Sequence, residues 1–219
     1  MKVLNLYAGI GGNRKLWEDV EVTAVEWDKE IASIYQDFFP NDKVIITDAH
    51  QYLLEHFKRF DFIWSSPPCP SHSRFRFMTT KLNEDDFTNP ASMIRPIIYP
   101  DMKLYQEILL LQNYFNGKWV VENVKPYYEP LIKAKEISRH LFWANFNLNN
   151  INIPTLNIKG NKINDLEKMH GFSIRNYKLK NTSKITILRN CVHPKLGEHI
   201  LNCARNIIKS EDVKQQLLF

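Results

Sequence analysis

The sequence predicts an α/β fold in which helices cover both faces of a mostly parallel sheet. Short runs rich in Val, Ile, Phe and Trp alternate with longer amphipathic segments over the first two-thirds of the chain. This alternation favours parallel pairing, because a helical crossover returns the chain to the same edge of the sheet. The 219 residues, of which 44% are hydrophobic, suffice for one domain with a small appendage.

Five apolar runs are the expected strands, and the amphipathic segments between them are the expected helices. The strands are Val3–Leu6, Val22–Glu26, Val44–Thr47, Phe60–Ser65 and Lys118–Glu122, with Ala144–Leu148 as a sixth candidate. The helices are Arg14–Glu18, Lys29–Phe38, His50–Phe57, Met102–Phe115, a short one around Leu131–Ile137 and one that begins near Pro194.

Composition sets the expected environment of the protein. Lys and Arg total 29 against 24 Asp and Glu, so the net charge is +5, which permits a polyanionic partner. No apolar run reaches about 18 residues, and the N-terminal segment is typical of a strand and not of a signal peptide. Three cysteines without a Cys-x-x-Cys pair predict free thiols in a reduced, cytoplasmic setting.

Two long segments interrupt the alternation of strands and helices. Ser66–Asp101 is rich in Pro, Ser, Asn and charged residues without a period, which is typical of a functional loop. Asn149–Ser183 is rich in Asn and Lys. From Lys159 to Lys184, seven Lys or Arg stand against two acids, a local charge of +5. This stretch is predicted to contact phosphates, and a solvated face is the alternative.

The turn after the first strand contains three glycines in Tyr7-Ala8-Gly9-Ile10-Gly11-Gly12. Glycines let the backbone turn tightly and approach a ligand closely, although a simple strand-to-helix turn has the same composition. The spacing differs from the Gly-x-Gly-x-x-Gly of a pyrophosphate site, which argues against a dinucleotide ligand.

Carboxylates follow the next two strands, at Glu26, which precedes Trp27, and at Asp48. The carboxyl ends of parallel strands form the edge where open α/β sheets bind ligands. A carboxylate can accept both hydrogen bonds of a ribose diol and an indole can cover an adenine, although Glu26 alone is also compatible with a solvated strand end. A nucleoside without phosphates fits these residues, and S-adenosylmethionine is the predicted ligand.

The fourth strand is followed by Pro67-Pro68-Cys69-Pro70-Ser71-His72-Ser73. A thiol between prolines on a rigid turn is predicted to be a nucleophile, and a buried structural cysteine is the alternative. A role for His72 as the general base of Cys69 has little support, because no Asn or Asp is evident to orient the imidazole. Glu122, at the end of the fifth strand, is either an acid with a raised pKa or a solvated strand end.

In this order and at these strand ends, Ala8–Gly12, Pro68-Cys69 and Glu122-Asn123-Val124 resemble motifs of the DNA (cytosine-5)-methyltransferase family. Arg189-Asn190-Cys191-Val192 resembles the last motif of the family, with its Asn-x-Val core. The residues of these motifs are similar to those of compact phage and bacterial members of the family. The resemblance implies a Rossmann-like, S-adenosylmethionine-dependent methyltransferase fold at residues 1–148, a reduced target-recognition region at 149–186, and a C-terminal segment at 187–219 that returns to the catalytic domain.

The resemblance also implies roles for individual residues, with no metal required. Cys69 would add to a flipped-out cytosine in duplex DNA, Glu122 would bind and protonate ring nitrogen 3, and Arg139 would bind the base carbonyl. Residues expected around S-adenosylmethionine are Tyr7, Ala8, Gly9, Ile10, Gly11, Gly12, Glu26, Trp27, Asp48, Ala49, Pro67, Asn190 and Val192. Residues expected on DNA are Ser71, Ser73, Arg74, Arg76, Lys159, Lys162, Arg175 and Lys178.

The sequence departs from the family pattern at three points. Pro70 stands where the family usually has Gln, Arg139 is the one clear arginine where the family has two, and the recognition region is short. A short region predicts a short target site, or help from a dimer or a helper subunit. Restriction-modification, a phage function and regulation of transcription are all open as the role of the modification. The alternatives to a DNA methyltransferase are an RNA (tRNA) cytosine-5 methyltransferase and a catalytically silent relative that binds nucleic acid.

Overall fold

The computed structural model of the chain describes residues 1–73, 99–153 and 162–207. Within these ranges the strands form one sheet in the order β3-β2-β1-β4-β5-β7-β6. The strands are β1 Lys2–Leu6, β2 Glu21–Glu26, β3 Lys43–Ile46, β4 Phe62–Ser65, β5 Lys118–Val124, β6 Lys135–Ile137 and β7 His140–Ala144.

The sheet is mostly parallel, as predicted. Strands β1 to β5 pair in parallel, whereas β7 runs antiparallel to β5 and β6 runs antiparallel to β7. The carboxyl ends of β1, β2, β3 and β4 therefore lie along a single edge. Open α/β sheets place their ligand sites at this edge, so the predicted site residues converge there.

The helices of the described residues are α1 Lys29–Phe38, α2 Ala49–His56, α3 Lys103–Tyr114, α4 Ile163–His170, α5 Lys184–Asn190 and α6 Pro194–Ala204. Asp28 caps α1, where its carboxylate accepts a hydrogen bond of 2.8 Å from the Glu30 amide. Asp48 caps α2 in the same way, and Pro194 occupies the first turn of α6 as expected. No helix in the described part of the chain has the length and apolar content that a membrane span requires.

Helices pack on both faces of the sheet because successive apolar side chains of a strand point to opposite faces. One buried cluster joins Leu4 and Leu6 of β1 to Leu53 of α2 and Ile108 of α3. On the opposite face, a second cluster joins Val3, Phe62 and Trp64 to Leu196 and Ile200 of α6. The predicted fold class is thereby confirmed.

Three predicted elements are wrong. The helix expected at Leu131–Ile137 is replaced by β6, and the strand expected at Ala144–Leu148 begins at His140 and ends at Ala144. The apolar side chains of β7 are buried against β5, so tertiary pairing overrides the local pattern. The helix expected at Arg14–Glu18 is a set of tight turns, in which the Trp17 amide donates to the Arg14 carbonyl at 3.0 Å.

The described part of the predicted recognition region packs on the first helix. Leu166 and Phe172, in and after α4, share a buried cluster with Ile34 of α1, Ile10 of the glycine turn and Leu188 of α5. The division of the chain at residues 149 and 187 stays a prediction.

Candidate active site

The glycine turn leaves β1 through three residues with left-handed backbone. The φ angles are +55° at Tyr7, +55° at Gly9 and +83° at Gly11. Glycine adopts such angles freely, whereas a bulky residue such as Tyr7 does so at a cost. The turn is held against β2 by a 3.0 Å hydrogen bond from the Ala8 amide to the Val25 carbonyl.

The C-terminal segment closes on this turn. A Cβ atom on Gly12 would collide with the Val192 carbonyl oxygen and would lie 3.1 Å from the Cβ of Cys191. Only glycine permits so close an approach of the two backbones. Val192, which is buried, therefore lies beside the turn predicted to hold the cofactor, and Asn190 is exposed at the end of α5.

Glu26 ends β2 and binds the same turn. Its Oε2 accepts a 2.9 Å hydrogen bond from the Gly9 amide, and its Oε1 accepts one of 3.1 Å from the Asp28 amide. Burial raises the pKa of Glu26, and the backbone hydrogen bonds oppose this shift. Each carboxylate oxygen can accept a second hydrogen bond, so the group fits the two hydroxyls of a ribose.

Two further residues predicted for the cofactor lie beyond the neighbouring strand ends. Trp27 is 73% exposed and leaves its indole face open for stacking. Asp48 accepts a 2.9 Å hydrogen bond from the Gln51 amide, and its Oδ2 lies 3.8 Å from Nζ of Lys103. The Gln51 hydrogen bond, followed by the Lys103 charge, holds the pKa of Asp48 below its usual value. Ala49 is buried at the start of α2.

The loop that carries Cys69 is fixed to β5 and folded on itself. The Asn123 side chain donates a 3.0 Å hydrogen bond to the Pro67 carbonyl. The Cys69 carbonyl accepts hydrogen bonds from the amides of His72 at 3.0 Å and Ser73 at 2.9 Å. The loop therefore presents Cys69, which is half-buried, from a tight turn beyond the end of β4.

His72 anchors this loop. Its Nδ1 lies 2.5 Å from the Tyr128 hydroxyl, and its side chain is buried. Among the described residues no hydrogen bond joins the His72 ring to the Cys69 thiol. Burial lowers the pKa of His72, which keeps the ring neutral. The structure therefore gives no support to a Cys69–His72 pair and assigns His72 to loop anchoring.

Glu122 lies inside β5, because the strand runs on to Val124 where it pairs with β7. Its side chain is 7% exposed, and its Oε1 lies 2.5 Å from Nδ1 of His140. Arg139 lies in the turn between β6 and β7. Partial burial lowers the pKa of its guanidinium, and the charge of the nearby Glu122 offsets part of this shift. Glu122 therefore interacts electrostatically with Arg139 on one side and with Cys69 on the other.

Sequence analysis missed the parts played by His140 and by Glu107. His140 directly follows Arg139 in the sequence, and an ionisable residue in that position is the available signal. Glu107 is 1% exposed on α3 and accepts hydrogen bonds from Tyr7 and Ser65. The signal for Glu107 was an acid on a helix stripe that is otherwise apolar.

The residues predicted to contact nucleic acid are only partly covered by the described ranges. Arg74, Arg76 and Lys159 lie outside them. Lys162 and Lys178 are exposed, whereas Arg175 is bound at 2.7 Å by Glu167. The Ser71 hydroxyl accepts a 2.9 Å hydrogen bond from the Asp101 amide, and Ser73 forms an isolated bridge with Pro126. In the described ranges no group of three or more His, Cys, Asp or Glu side chains is placed to hold a metal ion.

Alkylation of Cys69 by iodoacetamide is expected to be slow at pH 7 and to accelerate by about tenfold per pH unit. Burial and the Glu122 charge raise the pKa of the thiol, so the reactive thiolate is scarce at neutral pH and grows as pH rises. Peptide mass spectrometry of the native protein from pH 7 to 9.5 measures the rate. Cys191, which is fully buried with its pKa raised to about 12, is the internal control and should stay unmodified. A Cys69 rate that levels off below pH 8 would contradict a raised pKa.

Comparison with known proteins agrees with the fold and the motifs. The family model of the C-5 cytosine-specific DNA methylase matches residues 1–90, a range that contains Cys69 and ends before Glu122. The Entamoeba histolytica methyltransferase EhMeth has 12% identity and a TM-score of 0.54 over 96% of this chain and 99% of its own, which shows a shared fold. No curated protein sequence matches the chain.

Two other solved structures overlap with shorter parts of the chain. A DNMT2 variant from Spodoptera frugiperda has 28% identity and a TM-score of 0.38, covering 57% of this chain and 35% of its own. A prophage-encoded putative DNA modification methyltransferase from Escherichia coli has 18% identity and a TM-score of 0.38, covering 59% and 33%. The alignments thus span about a third of each of these two proteins. The resemblance to the C-5 cytosine-specific DNA methylase family, expected from motifs at the strand ends, is confirmed by the family model over residues 1–90.

Proposed function

We propose that this protein transfers a methyl group from S-adenosylmethionine to carbon 5 of a flipped-out cytosine in duplex DNA through a covalent adduct with Cys69. The observation that carries this proposal is the placement of Cys69 just beyond β4 and of Glu122 on the neighbouring strand β5, with the Cys69 loop fixed to β5 by the hydrogen bond from Asn123 to the Pro67 carbonyl. The family match over residues 1–90 supports the same chemistry.

The cofactor is held by the glycine turn, Glu26, Trp27 and Asp48 in this proposal. Glu26 retains acceptor capacity for a ribose diol after binding two backbone amides, and the exposed indole of Trp27 is free to stack on adenine. Val192, whose carbonyl lies against Gly12, and the nearby Asn190 would close the site from the C-terminal side. When bound, S-adenosylmethionine supplies the methyl group on an electrophilic sulfonium centre.

Cys69 makes the target carbon reactive. Carbon 5 of cytosine is a weak nucleophile at neutral pH, and addition of the Cys69 thiolate to carbon 6 converts the ring to an enamine. The new sulfur–carbon bond uses the thiolate electron pair, and the ring electrons become available at carbon 5. Transfer of the methyl group to carbon 5 releases S-adenosylhomocysteine. Water then accepts the proton on carbon 5, and the electron pair of the broken carbon–hydrogen bond restores the double bond between carbons 5 and 6 as the Cys69 thiolate leaves.

Glu122 and Arg139 offset the charge that develops on the ring. Glu122 in its protonated form donates to ring nitrogen 3, and Arg139 donates to the exocyclic oxygen. His140 Nδ1 lies 2.5 Å from Oε1 of Glu122 and fixes the carboxyl group in the site.

Tritium transfer from methyl-labelled S-adenosylmethionine into duplex DNA and into RNA tests the proposed substrate. We expect uptake into DNA by the wild-type protein and background uptake by the Cys69→Ser variant. Uptake into RNA alone would replace DNA by the RNA alternative, and no uptake into either would support a catalytically silent relative. The target base must leave the helical stack, so single-stranded DNA serves as a further substrate arm.

A further inference from the structure

A buried carboxylate lies behind the proposed cofactor site. Glu107 of α3 is 1% exposed, and three hydrogen-bonding groups surround it among the described residues. Its Oε1 accepts a 2.6 Å hydrogen bond from the Tyr7 hydroxyl and lies 2.9 Å from Nδ1 of His50. Its Oε2 accepts a 2.5 Å hydrogen bond from the Ser65 hydroxyl.

These partners come from three segments that meet at the carboxyl edge of the sheet. Tyr7 opens the glycine turn, and His50 lies in the first turn of α2, next to the Asp48 cap. Ser65 is the last residue of β4, just before the loop that carries Cys69. A single side chain therefore connects the cofactor turn, the Asp48 helix and the nucleophile strand.

Burial of the Glu107 carboxylate costs free energy of folding unless hydrogen-bond donors compensate its charge. The other buried residues on the same stripe of α3 are apolar, including Leu104, Ile108 and Leu111. Burial of a charge is unfavourable without partners, and Glu107 has a donor on each oxygen. The hydrogen bond to Glu107 raises the pKa of His50, which favours a positive charge beside the carboxylate.

Tyr7 is the partner for which such fixation matters most. Its φ of +55° is unfavourable for a bulky residue, so its backbone needs support from its surroundings. The hydroxyl bond to Glu107 fixes the ring and, through it, the start of the glycine turn. This bond acts at Tyr7, ahead of the Ala8–Val25 and Gly9–Glu26 hydrogen bonds that hold the rest of the turn, so its loss is expected to loosen the start of the turn.

We propose that Glu107 is a positioning residue that orders the S-adenosylmethionine site before the ligand binds, by fixing Tyr7, His50 and Ser65 in one hydrogen-bonded cluster. This inference rests on the proposed function for the identity of the ligand. It assigns no contact between Glu107 and the ligand, so the effect of Glu107 must pass through Tyr7.

A double-mutant cycle with Tyr7→Phe and Glu107→Gln tests the proposal by isothermal titration with S-adenosylmethionine and with S-adenosylhomocysteine. Each single variant is expected to bind about tenfold more weakly, since a hydrogen bond to a charged group typically contributes this much or more. The double variant is expected to bind no more weakly than the weaker single variant, because both changes remove the same bond. Tyr177→Phe is the matched control, since its hydroxyl donates to Asp37 at 3.0 Å outside the cluster, and it should bind normally.

The outcomes separate this inference from the proposed function. Absence of binding by the wild-type protein would overturn the proposed function. Normal wild-type binding with equal affinity in Glu107→Gln, whose melting temperature alone falls, would make Glu107 a stabilising residue only and overturn the inference. Additive losses would also overturn it, because they would mean that the Tyr7 hydroxyl acts on the ligand directly. If Glu107→Gln does not fold, Glu107→Asp takes its place in the cycle with the same expectations, because the shorter side chain withdraws the carboxylate from the Tyr7 hydroxyl.

Discussion

Replacement of Cys69 by Ser is expected to abolish methyl transfer, with a fall in rate on the order of 10⁴-fold or more. A serine hydroxyl is essentially un-ionised near neutral pH and cannot add to carbon 6 of the ring. Glu26 and Asp48, which we propose bind the cofactor, make their hydrogen bonds without Cys69, so affinity for S-adenosylmethionine should be unchanged. Tritium transfer measures the rate, and isothermal titration measures the affinity.

Cys203→Ser is the matched control for this experiment. Cys203 is also half-buried, but it lies on α6, away from the loop that carries Cys69. The control variant should retain wild-type turnover. Undiminished turnover in Cys69→Ser would remove the covalent adduct from the mechanism, whereas loss of cofactor affinity would show that Cys69 supports the fold of the site.

Glu122→Gln should lower kcat by about 10²- to 10³-fold with little change in the affinity for S-adenosylmethionine. A glutamine keeps the size of the side chain and can donate a hydrogen bond to ring nitrogen 3, but it cannot transfer a proton to it. Single-turnover rates with saturating DNA and cofactor isolate this step. A Glu122→Gln enzyme with an unchanged single-turnover rate would contradict the acid role.

The contact between Glu122 and His140 makes the same experiment sharper. His140→Asn removes the group that lies 2.5 Å from Oε1 of Glu122. The single-turnover rate is expected to fall about tenfold, because the carboxyl group is no longer held in place. In the Glu122→Gln background the His140 change should cost little more, because the carboxylate that it orients is already gone. His56→Asn is the control, since His56 pairs with the exposed Glu55 at 3.8 Å near the end of α2.

Much of the candidate site at the carboxyl edge of the sheet could be predicted because it depends on local sequence patterns. Runs of β-branched and aromatic residues predicted β1 to β5, and the 3.6-residue period of α1 predicted Lys29–Phe38 as observed. Once the sheet is parallel, residues that follow successive strands must share an edge. The positions of Glu26, Asp48 and Cys69 at the edge follow from that topology.

The remaining features depend on long-range contacts that no local pattern encodes. β7 forms by antiparallel pairing with β5, and its apolar side chains are buried. This pairing continues β5 beyond Glu122 and brings His140 to the Glu122 carboxylate. Glu107 resembles an interruption of an apolar stripe until its partners Tyr7 and Ser65 are seen beside it. The buried polar cluster is therefore visible only in the assembled fold.

Bisulfite sequencing tests the central claim most directly, because it reports substrate, activity and target site together. Genomic DNA is taken from cells that lack cytosine methylation of their own and that express either the wild-type protein or Cys69→Ser at equal levels. We predict cytosines protected from conversion within a defined short sequence in the wild-type sample and none in the variant sample. Complete conversion in both samples, or equal protection in both, would contradict cytosine-5 methylation of DNA through Cys69.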